Sequence, residues 1–297
     1  MKKLLSLCLI LSSITCSKSL DAMNDQPVFA GKVKSITAAG DHYLITFQHG
    51  QARIYHYSPT VVRIRITESD PVTDQSYAVS GSPSGMFSGF DDSRDSAILS
   101  SAEMQIVIHK NPLRITILNK NGEVLTTDYP LLPVSWQGSQ VTTYKKLHPD
   151  ERFLGLGEKT GPLNKRGHAY QNWNSDVPAY AVNHDPLYQT IPFFIGVHDR
   201  VTYGIFFDNS FRTRFNFGAS TDEEFYSFSA EAGEMNYYVF GAATMAGIIA
   251  DYTLLTGRME LPPYWSLGYQ QCRWSYFPES QVRSEERRVG KECRSRW

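Results

Sequence analysis

The sequence predicts a mainly β fold, an antiparallel sandwich, on three observations. Apolar and polar residues alternate with period two over many short segments, turn residues punctuate those segments, and a single convincing helical stripe stands near the end. His42 to Phe47 and Ala52 to Tyr57 alternate about a turn at His49-Gly50 and predict a hairpin. Val62, Ile64 and Ile66 alternate with Arg63 and Arg65, which places the apolar set on one face and the arginines on the other. A loop rich in Ser, Gly, Asp and Pro follows, over about residues 69–96. Strands resume at Met104 to His109 and Arg114 to Leu118, and Asn121-Gly122 turns the chain into Glu123 to Thr127. Further strands are predicted at Thr190 to Val197, Val201 to Phe207, Glu224 to Phe228 and Glu234 to Val239. The helical stripe is Met245, Ile248, Ile249, Tyr252 and Leu255, with Thr244 near its start and Gly257 as its stop. Pro262-Pro263 then breaks the chain, and Trp265 to Cys272 reads as a buried strand.

Composition narrows the function classes. The 297 residues are 41% hydrophobic and 13% aromatic, enough to bury a sizeable core, which excludes a disordered chain. Lys plus Arg number 29 against 30 Asp plus Glu, and no long basic run precedes the tail, so nothing recommends a nucleic acid or an anionic membrane as partner. The aromatics suit a strand-rich core first and a sugar-binding surface second.

The N-terminus has the form of a targeting signal. Lys2 and Lys3 precede an apolar run from Leu4 to Ile14, too short for a membrane span. Residues 1–22 are therefore expected to direct export to the periplasm or beyond. Cys16 offers a lipid-attachment site, and cleavage near Ala22 is the plainer alternative. Cys8 and Cys16 lie in or beside this signal and Cys293 in the tail, leaving Cys272 without a partner: no disulfide framework and no metal-ligand spacing are expected. His42, His49 and His56 recur every seven residues, but strands and a turn separate them, so no metal or cofactor is predicted.

Three segments carry candidate chemistry. Gly155-Leu156-Gly157-Glu158-Lys159-Thr160-Gly161 resembles a phosphate loop but lacks the Gly-Lys-Ser/Thr ending and leads into loop, so its glycines are read as permitting tight backbone turns. Trp173-Asn174-Ser175-Asp176-Val177-Pro178-Ala179-Tyr180 sets an acid between aromatics. Asp176 could bond sugar hydroxyls while the rings cover apolar sugar faces, or it could close an Asx turn on backbone N–H groups. On composition alone the turn is the stronger reading. Aromatics also crowd the junction from Tyr252 to Tyr276, as at a barrel active-site mouth or a packed hinge.

Tyr-Thr-Leu-Leu-Thr-Gly-Arg (252–258), Leu-Pro-Pro-Tyr-Trp-Ser-Leu-Gly-Tyr-Gln-Gln-Cys-Arg-Trp (261–274) and Gly-Leu-Gly-Glu (155–158) together resemble glycoside hydrolase family 31, the α-glucosidase family. The resemblance runs in order from about Gly31 to Arg283 and takes in Val62 to Ile66, Trp173 to Tyr180, and Pro186-Leu187-Tyr188 leading into Ile191-Pro192-Phe193-Phe194. It implies a galactose-mutarotase-like β-sandwich over residues 27–259, followed at 260–283 by the first strand of a (β/α)₈ barrel. It also implies that Asp176 contacts substrate and that Trp274 lines the sugar subsite. The expected partner is an oligosaccharide or α-glucoside.

Retaining family members use an Asp nucleophile and an Asp acid/base about 5–5.5 Å apart, later in the barrel. Neither has a counterpart here. Residues 284–297 show no apolar helical stripe and resemble read-through of vector or adaptor DNA, so they are read as a non-family tail. The expectation is the N-terminal portion of a retaining glycosidase, inactive alone because one barrel strand cannot close a barrel. Two alternatives stand beside it: a non-catalytic carbohydrate-binding module, and a mutarotase-like epimerase using Glu158 and His168.

Overall fold

A computed structural model describes residues 26–69, 74–219, 224–268, 270, 278–281 and 283–284. Residues 1–25, which include the expected targeting signal, together with Cys272, Trp274 and the tail from 285, lie outside the described residues. Chain contacts divide the protein between Gly257 and Arg258.

The first unit holds three antiparallel sheets. The largest has eight strands in the order β13 (Arg152–Gly157), β15 (Thr190–His198), β16 (Val201–Phe207), β19 (Met235–Phe240), β5 (Val61–Thr67), β4 (Gly50–Ser58), β3 (His42–Phe47) and β2 (Val33–Ala39). A six-stranded sheet runs β1 (Val28–Phe29), β11 (Ser135–Gln137), β12 (Gln140–Lys146), β18 (Phe225–Ala230), β17 (Thr213–Asn216) and β14 (Ala169–Asn172). A five-stranded sheet runs β10 (Val124–Thr127), β9 (Leu113–Asn119), β8 (Met104–Lys110), β7 (Ser96–Ser100) and β6 (Gly89–Asp92). One core joins all three: Ile45, Ile54 and Ile64 of the large sheet bury with Ile106 and Ile117 of the five-stranded sheet and Val141 and Phe228 of the six-stranded sheet. This is the sandwich that period-two patterning anticipates.

Strand β5 shows why the pattern works. Val62, Ile64 and Ile66 enter the core, and Arg63 and Arg65 take the other face, where they are also buried, at 4% and 5% exposure. A buried guanidinium needs partners on every side. Arg63 donates two hydrogen bonds to Asp74, at 2.7 and 2.9 Å, and one to Asn236 Oδ1 at 2.8 Å, while Arg65 pairs with Glu234. Burial opposes the Arg63 charge, but the Asp74 hydrogen bonds and neighbouring tyrosines outweigh it and hold its pKa above the ordinary value.

The helix α1 (Met245–Thr256) begins at Thr244, whose side chain accepts from Gly247 N, and ends at Gly257 with φ of 97°. Its stripe is narrower than expected. Ile248 and Leu255 are buried and Tyr252 stacks on Phe193 at 4.1 Å, but Met245 and Ile249 are 38% and 50% exposed. The helix lies against the outer side of β16 and β19, which covers the side carrying Ile248, Tyr252 and Leu255 and leaves Met245 and Ile249 open. The turn between β3 and β4 falls at Gln48-His49, one residue earlier than expected, since Gly50 already pairs with Phe47. The loop predicted over 69–96 contains β6, which the Ser/Gly/Asp-rich composition hides. In the second unit, the segment expected as a buried strand forms a 3₁₀ turn over Tyr264–Leu267, with Trp265 76% exposed. A strand needs a hydrogen-bonded neighbour. None pairs with it among the described residues, so the local bonds from Ser266 N to Pro263 O and from Gly268 N to Trp265 O prevail. No helix among the described residues is long and apolar enough to cross a membrane.

Two histidines make acid sensitivity testable. His56 and His109 both titrate below the ordinary value of 6.5, chiefly through burial, with Arg114 adding to the effect at His109 and Asp128 opposing it. The unfolded chain takes up these protons near pH 6.5 while the folded chain does so only lower, so the stability they contribute is full above about pH 6.5 and falls below it. His109→Gln should show a shallower fall in Tm between about pH 7 and about 5.5 than the parent chain. Equal slopes would contradict this.

Candidate functional site: the loop between β14 and β15

The loop carrying Asp176 leaves β14 at Trp173 and returns to β15 at Thr190, and its geometry follows from bonds at both ends. Asn174 Oδ1 accepts from the backbone N and the hydroxyl of Thr190, both at 2.8 Å, which closes the base of the loop. Ser175 N donates to Leu187 O at 2.9 Å, and the Tyr188 hydroxyl donates to Val177 O at 2.6 Å. Between these ties Ala179 adopts a left-handed φ of 53°.

A second fastening comes from the glycine segment that superficially resembles a phosphate loop. It is strand β13, bulged against β15. A side chain at Gly155 would meet Phe193 O at 2.5 Å, and one at Gly157 would meet Gln189 O at 2.8 Å, so glycine permits the close strand approach there. The strand delivers Lys159 beneath the loop. Its ammonium, fully buried, donates to Asp185 Oδ1 at 2.7 Å and to Gln171 O at 2.6 Å. Asp185 Oδ2 in turn accepts from Gln171 N at 2.5 Å. Burial pulls the Lys159 pKa down, and Asp185 opposes that shift. No sequence motif marks this pair, because residues 159 and 185 meet only once β13 and the loop are in place.

Above these ties sits an exposed surface. The Asp176 carboxylate faces solvent and forms no side-chain hydrogen bond among the described residues, so it closes no Asx turn, and the loop is held instead by the long-range bonds of Asn174 to Thr190. Trp173, Tyr180 and Tyr188 are 45%, 43% and 41% exposed, unusually open for large aromatics. Tyr180 and Tyr188 meet edge to face at 6.1 Å, and the Arg212 guanidinium lies 5.0 Å over the Trp173 ring. The Tyr188 phenol titrates above its ordinary range, first through partial desolvation and then through the charge of Asp176. Asp185 also borders a groove of about 480 Å³ on the outer face of the six-stranded sheet, lined by Gln171, Arg214, Asn216, Ser227 and Ser229. Trp274 lies outside the described residues. Glu158 and His168 are both exposed, and no hydrogen bond or ion pair joins them among the described residues.

Sheet order and loop together define a galactose-mutarotase-like sandwich. The chain belongs to glycoside hydrolase family 31: the family model for the glycosyl hydrolase 31 N-terminal galactose mutarotase-like domain matches residues 51–216, more than half of its length. It is similar to α-glucosidase 2 of Bacillus thermoamyloliquefaciens, 39% identical over 237 residues, which cover 79% of this chain and 30% of that protein. An α-xylosidase of Lactiplantibacillus pentosus is 31% identical over 180 residues, covering 58% of this chain and 22% of the relative. Among solved structures, the family 31 dextranase of Flavobacterium johnsoniae in complex with glucose superposes with a TM-score of 0.81 at 34% identity, over 89% of this chain and 33% of that one. The chain thus spans a third or less of the length of these relatives.

Proposed function

We propose that this chain is the substrate-facing N-terminal part of a retaining family 31 glycosidase acting on α-linked glucosides. The observation that carries the reading is the Asp176 carboxylate, unpaired and exposed beside open aromatic rings on a loop tied at both ends. A carboxylate so placed accepts hydrogen bonds from vicinal sugar hydroxyls, and the rings cover the apolar face of a pyranose. The ties hold the acid in place before substrate arrives, which lowers the ordering cost of binding. Trp274, in the Cys-Arg-Trp sequence, is the second residue that the family resemblance assigns to sugar contact. The similarity to an α-glucosidase and to a dextranase also solved with isomaltotriose supports α-glucosides as the substrate class. The catalytic Asp pair belongs to a barrel of which residues 260–283 are the beginning, and the protein acts after export.

Two measurements test this. The 297-residue chain incubated with an aryl α-glucoside should give no turnover above a blank; measurable hydrolysis would falsify the assignment of the catalytic pair to a region outside this chain. Titration of the same chain with isomaltotriose should show only weak binding, with Kd on the order of 1 mM or above, lost in Asp176→Ala. Undiminished binding in that variant removes Asp176 from the site. Binding near about 1 μM by the chain alone favours the independent carbohydrate-binding module instead.

A further inference from the structure

At the opposite end of β15 from the sugar loop, two histidines and an aspartate distant in sequence converge. His148 precedes β13, His198 ends β15, and Asp199 starts the turn to β16. Asp199 Oδ2 lies 3.7 Å from Nδ1 of each imidazole, and the three candidate ligand atoms fall within 4.8 Å of one another. The His198 side chain is 2% exposed. Its Nε2 lies 3.1 Å from Leu125 O. A carbonyl can only accept, so Nε2 carries the proton and, in the neutral ring, Nδ1 presents its lone pair. That buried Nδ1 has no hydrogen-bond partner, and neither has Nε2 of His148.

The arrangement is unusual chemically. A buried lone pair is aimed at a carboxylate oxygen across 3.7 Å, too far for a hydrogen bond. The Asp199 carboxylate opposite is open to solvent, 72% exposed, so the unsatisfied group is the buried His198 lone pair, and a cation between the two would satisfy it. Ligands on one tetrahedral zinc ion, with bonds of about 2.0–2.2 Å, stand roughly 3.4 Å apart, so the two 3.7 Å separations from Asp199 need close only slightly, while the imidazoles must reorient toward each other. The bond from His198 to a backbone carbonyl is also the outer contact that fixes the tautomer of a metal-binding histidine. Asp199 is itself held, its N–H donating to Asp150 Oδ2 at 3.0 Å, and the turn keeps Asp199 and Arg200 at φ of 46° and 68°.

From this geometry we propose that His148, His198 and Asp199 form a binding site for a divalent transition-metal ion of the zinc class, with water completing the coordination. The set combines imidazole nitrogen and carboxylate oxygen, which suits zinc, nickel or copper rather than magnesium or calcium. One adjustment accompanies binding. The two rings now stack 3.8 Å apart and 5° from parallel, and parallel rings cannot both direct in-plane lone pairs at one ion. His148 turns, since its Nε2 has no partner to hold it and its side chain is 19% exposed. The bound ion ties the turn before β13 to the β15–β16 hairpin, and through Leu125 to the five-stranded sheet.

The test uses the full chain without an affinity tag, stripped with chelator and returned to about pH 7.5, where free imidazoles are neutral. Zinc chloride at about 100-fold above Kd should raise Tm by roughly 5 °C. Cobalt chloride should develop visible absorption bands. Asp199→Asn removes the carboxylate while keeping a residue that tolerates positive φ, and His148→Gln removes one imidazole without opening the core. Each should lose one equivalent of zinc from calorimetric titration, or weaken it at least about 10-fold, along with the Tm rise. A parent chain whose Tm ignores zinc, or variants that bind and respond as the parent does, overturn the assignment.

Discussion

Asp128→Ala is expected to destabilise the sandwich by about 3–5 kcal/mol, because it strands the Lys145 ammonium in the core. Lys145 projects inward from β12 and is completely buried, with Nζ 2.5 Å from Asp128 Oδ1 and 2.9 Å from the Tyr237 hydroxyl. The same Asp128 takes the Ile115 backbone N–H at 2.7 Å through its other oxygen. Truncation therefore orphans a cation and a backbone donor together. Burial works against the Lys145 charge, and the charge of Asp128 with the surrounding hydrogen bonds overcomes it to hold the pKa above the ordinary value. The Tyr237 phenol beside it is pushed up to about 12 by burial, with Lys145 opposing. Urea unfolding measures the loss. The double variant Asp128→Ala with Lys145→Met should recover much of it, since an apolar chain of similar length leaves no charge to satisfy. A single variant costing less than about 1 kcal/mol would show that the ammonium escapes to solvent or loses its proton.

Phe194→Ala should cost a similar amount, about 3–5 kcal/mol, by opening a cavity at the centre of an aromatic cluster. Phe194 is fully buried on β15 and its ring meets those of Phe153, Phe217, Tyr226, Phe215, Tyr203 and Phe228 at centroid distances from 5.1 to 6.5 Å. These neighbours come from β13, β16, β17 and β18 and the segment after β17, so two sheets lose contact at once. Backbone limits the repair. At Gly196, two residues on, the Tyr203 ring already occupies the place of a side chain, with Cζ 2.2 Å from where a Cβ would stand. Loss at Phe194 should also reach the loop carrying Asp176, because Thr190 at the start of β15 anchors Asn174. Hydrogen exchange at Thr190 and Ser175 should accelerate in the variant relative to β8 and β9. Uniform acceleration across all strands would indicate global unfolding and no local coupling.

Much of the fold was legible because its signals are local. Strand β5 and the pair β8–β9 show clean alternation, Asn121-Gly122 makes its turn with Gly122 at φ of 80°, and α1 carries its cap residues in the chain itself. Strands β11, β12, β14 and β17 escaped for an opposite reason. In β12, Thr143 and Lys145 point into the core beside Val141, so an inward face reads as polar. Strand β13 was hidden by its glycines, whose positive φ values look like turns until β15 lies against them. For the candidate site, the motif singled out Asp176 as a proposed contact, but nothing in the sequence pointed to Lys159 and Asp185, which secure its loop.

The sequence by itself determined the sandwich class, most of the hairpin strands and the family, since period, turn chemistry and ordered motifs are properties of neighbouring residues, while the β3–β4 register was settled only by pairing. Only the tertiary structure decided which polar groups go inside and what they meet there. Arg63 finds Asp74 and Asn236, Lys145 finds Asp128, and His148 finds His198 and Asp199 through sheet pairing that no local pattern encodes. Burial makes an unpaired charge or lone pair costly, so partners brought together by the fold, and not by spacing along the chain, set what holds this protein together.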